Sequence, residues 1–198
     1  MKIFLSLIFL FLFPTGVYAF IPDTAIAFSS RQLGAGKILI ASENITSGIF
    51  SHAVILLTKH YEDGDVGLII NRPSNYQVKD IYTGFVMADK AGRLFVGGPV
   101  MNTVLSVILK AKNDVEGLTA ILPNIYHGFV VNDNADRYFS PDVELWRFYS
   151  GYAGWGKDQL VNEINRGGWY VIDGDPGLVF DVDAETMWQE LLRKVQSR

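Results

Sequence analysis

Six consecutive residues late in the chain, Gly151, Tyr152, Ala153, Gly154, Trp155 and Gly156, carry three glycines and two aromatics, and a helical pattern follows at once. Glycine permits positive φ and lets a second backbone approach closely. Gly156 is an acceptable N-cap. With that cap, Trp155 falls at N′ and Leu160 at N4, the spacing of a hydrophobic staple. Gln159 falls at N3, within reach of the cap, and Asp158 lies in the first turn, where the helix dipole favours an acid. Leu160, Val161 and Ile164 supply one apolar face, and Gly167 and Gly168 stop the helix. The stretch predicts a strand-to-helix corner clamped by a tryptophan that packs into the core.

The other end of the chain reads differently. Lys2 precedes an apolar run over residues 3–13 broken only by Ser6, and Val17-Tyr18-Ala19 closes it. A basic start, a short apolar core and a small-x-small site form an export signal. The run is shorter than the ~20 residues a membrane anchor needs. The expectation is a signal peptide over 1–19, cleaved after Ala19, one domain over 20–198, and a periplasmic or secreted protein that meets the membrane only during export. There is no cysteine, so thiol nucleophiles, thiolate metal sites and disulfides are excluded. Hydrophobic residues make up 49% of the chain, enough for a core without staples. The net charge of −4 argues against a nucleic-acid partner.

Strands dominate the rest. Apolar runs over 37–41, 53–58, 66–71, 94–96, 104–109, 118–122, 125–131 and 144–149 predict strands, with Asp63-Gly64 turning a hairpin between the second and third. A further hairpin is predicted from strands 169–172 and 178–180. Helical spacing predicts helices over 76–87, 157–166 and 184–195, the last capped by Asp183. Short late helices among many strands indicate α+β with a mostly antiparallel or mixed sheet.

Complete catalytic signatures are missing. Gly34-Ala35-Gly36-Lys37 lacks the P-loop's first glycine and its Ser/Thr. Asn132, Asn134 and Asp136 begin like a calcium loop, but Arg137 and Val143 occupy its glycine and glutamate positions. No Gly-x-Ser-x-Gly elbow occurs. His52 and His60 flank one strand about 26 Å apart at ~3.3 Å per residue, too far to share a metal. No catalytic residue, metal or cofactor is expected. The candidate ligand-binding residues are His60, Asn71, Arg72, Gly97 and Gly98. Arg72 could clamp an anion or pair structurally with a carboxylate such as Glu163. Gly97 and Gly98, ahead of Pro99, could offer backbone N–H groups as an anion nest or form a plain turn.

Four segments taken together resemble one family. They are His60 with Val66-Gly67-Leu68-Ile69-Ile70-Asn71-Arg72-Pro73; Gly97-Gly98-Pro99-Val100; Gly151, Tyr152, Gly154, Trp155 and Gly156 with Gln159, Leu160 and Glu163; and the Trp188 helix. In order and spacing they resemble the YqgE/AlgH family of bacterial proteins over roughly residues 31–195. The resemblance implies a compact α+β domain with a mixed, barrel-like sheet, and it implies no defined reaction. Its usual members are cytosolic, and they often carry a Leu-His pair after Gly-Gly-Pro. Here the corresponding strand reads Val104-Leu105-Ser106-Val107, and an export signal is present. The expected role is a non-catalytic binding or accessory domain of the cell envelope, partnered by a small molecule or an envelope protein. The alternative is a small-anion receptor or enzyme built from Arg72, Asn71, the Gly97-Gly98-Pro99 loop and His60.

Overall fold

The computed structural model describes residues 28–132 and 135–197; the predicted signal peptide lies outside them. Ten strands form one mostly antiparallel sheet. They are β1 (Lys37–Ala41), β2 (Val54–Tyr61), β3 (Gly64–Ile69), β4 (Pro73–Gln77), β5 (Arg93–Val96), β6 (Val100–Ala111), β7 (Thr119–Leu122), β8 (Ile125–Phe129), β9 (Val143–Gly156) and β10 (Trp169–Asp173). Five short helices accompany them: α1 (Val78–Ile81), α2 (Ala88–Ala91), α3 (Gln159–Asn165), α4 (Pro176–Phe180) and α5 (Met187–Gln196). The fold is α+β. Among the described residues, no helix is long and apolar enough to cross a membrane.

The strand order is β10-β1-β2-β3-β9-β6-β8-β7, with β5 parallel to β9 and β4 beside β5. The long strand β9 is the spine. Its first half pairs with β6 along one side and with β5 along the other, and its last four residues pair with β3. The sheet curls so that Ile121 of β7 lies against Gly36, just ahead of β1. The end strands β7 and β10 are nevertheless not paired, so the sheet is curved like a barrel and open.

Alternation along the strands sorts apolar side chains into three clusters. Ile38, Ile40, Val54, Leu56, Leu68, Ile70 and Tyr149 fill the concave interior, where α5 adds Met187 and Leu191. Leu39, Ile55, Leu57, Ile69 and Trp155 point to the opposite face and are covered by Leu160 of α3 and by Leu33. Phe85, Leu94, Val107, Tyr138 and Phe148 form the third, beneath α1 and α2.

Four local expectations are corrected. Residues 151–156 are not a corner: they are the second half of β9. The glycines serve a crossing, because a Cβ on Gly151 would stand 2.5 Å from the carbonyl oxygen of Gly98, and one on Gly98 would stand 2.3 Å from that of Tyr152. The helix then starts at Gln159 after Asp158, which adopts a left-handed conformation (φ 60°), so the cap lies two residues later than expected. Residues 178–180 are helical and not a strand: Asp175 accepts from the Gly177 N–H at 2.8 Å and Pro176 opens the turn, a pairing of cap and N1 proline that favours a helix. The helix expected over 76–87 is split, because 73–77 pair with β5 and the backbone turns again around Gly84.

Candidate functional site

The sequence-derived candidates do not converge. Asn71 follows β3 and ties two segments together: its Oδ1 accepts from the Val54 N–H at 2.8 Å and its Nδ2 donates to the His52 carbonyl at 2.9 Å. Arg72 points the same way, its Nη2 donating to the carbonyls of Ile49 (3.0 Å) and Ser51 (2.8 Å). The guanidinium therefore organises the loop ahead of β2 and is not paired with Glu163. His60 stands near the far end of β2, six residues beyond Val54, or about 20 Å along a strand. Its Nδ1 meets the Oδ1 of Asp65 at 2.6 Å, and Asp65 is buried. Gly97 and Gly98 are buried under β9. The Gly97 N–H donates to the Ser150 carbonyl, and the Gly97 carbonyl accepts from Ile69.

The segment after β9 builds a different arrangement. Glu163 on α3 faces two indoles, and its Oε2 accepts from Trp155 Nε1 and from Trp169 Nε1, both at 2.9 Å. Its Oε1 accepts from Gln159 Nε2, while Gln159 Oε1 takes the Gly156 N–H. Phe50 stacks on Trp155 and meets Trp169 edge-on. Trp155 is buried. This network joins the end of β9, α3 and β10 into one unit.

Two buried groups in the concave interior are chemically unusual. Among the described residues, the Tyr149 hydroxyl makes no hydrogen bond of good geometry, although Arg147 stands close enough to act on it. Burial pushes its phenol up to about 12, against the pull of the nearby Arg147 charge. Arg147 aims its Nη groups at the carbonyls of Val179 and Phe180 instead. His127 on β8 is lowered to about 4, first by burial and then by the charge of Lys59. Among the described residues, no group of three or more His, Asp or Glu side chains could hold a metal ion.

A concavity stands open elsewhere, along the outer edge of β10, with a volume of about 660 Å³. That is within the range of ligand pockets, roughly 300–1,000 Å³. Leu33 and Val171 line it on one face of β10, and Leu178 and Val195 on the other. Arg31 and Lys194 stand exposed at its rim. Sequence reasoning missed this groove because its walls come from three distant segments, each unremarkable alone. The one available signal was the charged residue Lys37 at the head of β1, which pairs with Asp173 across the ladder.

Comparison with known proteins gives a consistent picture. The AlgH-like family model matches residues 38–198. A UPF0301 protein of Chlorobium luteolum is 34% identical over 168 residues, covering 82% of this chain and 86% of its own. A UPF0301 protein of Streptomyces avermitilis is 33% identical over 164 residues, covering 80% and 85%. An X-ray structure of a Corynebacterium diphtheriae protein superposes with a TM-score of 0.68 at 26% identity, covering 85% of this chain and 90% of that one. The solution structure of the AlgH protein from Pseudomonas aeruginosa gives 0.66 at 23% identity, covering 87% and 92%, a likeness of fold.

Proposed function

This chain belongs to the AlgH-like family, and on that premise we propose that it is a non-catalytic binding or accessory domain exported to the bacterial cell envelope. One observation carries the binding half of the reading. Asn71, Arg72 and Glu163, the side chains with the chemistry to hold a ligand, are already hydrogen-bonded within the chain, while the β10 groove remains open. These polar residues act as fasteners, and the β10 groove is a surface suited to docking. The distance from His60 to Arg72 weighs against a joint anion site or acid–base centre.

The export half rests on Lys2, the apolar run over 3–13 and Val17-x-Ala19. Fractionation of the native cell followed by intact-mass measurement tests it. A mass beginning at Phe20 in the periplasmic or secreted fraction is the expected result. Met1 retained in a cytosolic pool would overturn it. A thermal-shift screen of the mature protein against small anions tests the binding reading from the other side: an anion that stabilises wild type but not Arg72→Ala would favour the receptor alternative.

A further inference from the structure

The β1–β10 ladder fixes which backbone groups of β10 are spoken for. At one end the Gly174 N–H donates to the Gly36 carbonyl at 3.0 Å, and at the other the Ser42 N–H donates to the Gly168 carbonyl at 2.9 Å. The register between them is unbroken. In an antiparallel pair, hydrogen-bonded and non-hydrogen-bonded positions alternate. Ile172 and Tyr170 therefore face β1, whereas Trp169, Val171 and Asp173 turn their N–H and C=O groups outward. Among the described residues, β10 has no strand on that side. Val171 and Asp173 line the groove, so it runs along a free edge of main-chain donors and acceptors, flanked by apolar side chains on both faces.

The charges around this edge are not balanced among themselves. Asp173 is taken by Lys37, and Asp175 caps α4 by accepting from the Gly177 N–H. Among the described residues, the Arg31 guanidinium and the Lys194 ammonium have no hydrogen-bond or ion-pair partner. Strand edges are ordinarily blunted by shortness, charge, proline, a bulge or a covering element; β10 is short and flanked by charges, and it carries no proline or bulge.

We propose that β10 takes an extended, acidic peptide segment of another protein as an added strand. Its main chain pairs with Val171, its apolar side chains enter the groove, and its carboxylates meet Arg31 and Lys194. This is strand addition, in which the backbone supplies affinity and alternate side chains supply specificity. A second copy of this chain is a poorer occupant, because it would bring its own Arg31 and Lys194 to the same edge. The proposal rests on the binding-domain reading and is independent of export.

The probe is a fluorescein-labelled nine-residue peptide alternating valine and glutamate, followed by fluorescence anisotropy. The comparators are a valine–lysine peptide and the valine–glutamate peptide N-methylated on alternate amides. The expected result is saturable binding of the valine–glutamate peptide only, weakened roughly tenfold or more by the Arg31→Glu/Lys194→Glu double substitution. Hydrogen exchange gives the signature: the Val171 amide gains protection when the peptide binds, while Tyr170 and Ile172 are protected throughout. Val171→Pro removes only an outward donor, which an edge strand tolerates, and should abolish binding with little change in the unfolding midpoint. Should that variant fail to fold, the N-methylated peptide makes the same test on the wild-type protein. Equal binding of the lysine or N-methylated peptide, no change at the Val171 amide, or a dimer that protects Val171 without peptide would each overturn the proposal. A null result with the mature protein beginning at Phe20 would leave the export reading standing.

Discussion

Trp155 and Trp169 share a single hydrogen-bond acceptor: both indole N–H groups point at Oε2 of Glu163, each at 2.9 Å. Both rings are buried, so among the described residues this carboxylate is the acceptor that keeps two buried donors satisfied. Glu163→Ala should cost about 2–6 kcal/mol, since each of the two orphaned buried donors costs ~1–3 kcal/mol. Trp155→Ala should cost about 3–5 kcal/mol, as large aromatics do in cores. Urea unfolding of both single variants and the double variant measures this. A double variant less destabilised than the sum would report the shared bond; strict additivity would disprove the coupling.

Arg72 is held by main-chain carbonyls, so its removal should register as stability. Arg72→Ala loses two charge-assisted bonds to the loop before β2, an effect of about 2–3 kcal/mol. Arg72→Lys should recover part of it. Urea midpoints decide the matter, and an Arg72→Ala protein as stable as wild type would return the side chain to the pool of ligand-binding candidates.

His127 gives the fold a pH dependence with a defined sign. Its folded value of about 4 lies below the ordinary ~6.5 of an unfolded histidine. As pH falls, the unfolded chain takes the proton first. Stability is therefore full above pH ~6.5 and declines as pH drops through the folded value, by on the order of 3 kcal/mol for this group. His127→Gln should flatten that part of the curve. Urea midpoints at pH 7, 5.5 and 4.5, compared between wild type and variant, separate this contribution from the carboxylates.

The β5–β6 crossing has no room for a methyl group. Gly98→Ala would drive a Cβ into the backbone of Tyr152, whereas a Cβ on Gly34 meets nothing within 4 Å. Gly98→Ala should yield insoluble or severely destabilised protein, and Gly34→Ala should stay within about 0.5 kcal/mol of wild type. Expression yield and thermal midpoint compare them directly.

What the sequence disclosed depended on the range of the cause. The β2–β3 hairpin and α5 were legible because their signals are local: a polar turn between two apolar runs, and an apolar stripe with period 3.6. α4 was misread because its three apolar residues suit either state, and the deciding signal was Asp175-Pro176 ahead of them. The 151–156 segment was misread for a deeper reason. Its glycines answer to Gly98 and Tyr152 backbone brought across the sheet, and composition alone cannot tell a crossing from a corner. The partners of Arg72 and Glu163 were equally hidden: a guanidinium satisfied by two carbonyls and a carboxylate shared by two indoles are products of the fold. The groove, made of Leu33, Val171 and Val195, has no sequence motif at all.

The position of β9 in the chain has a consequence in time. Gly67 must wait for Ala153, Phe95 for Tyr149, and Val107 for Phe148. Closing such long loops is entropically slow, and topologies dominated by distant pairings fold late. While the chain is emerging, β1–β3 and β5–β6 exist as unjoined pieces, and nothing locks them until residues 143–156 arrive. This strand order acts as a delay: the core cannot close until the ninth of the ten strands has been made.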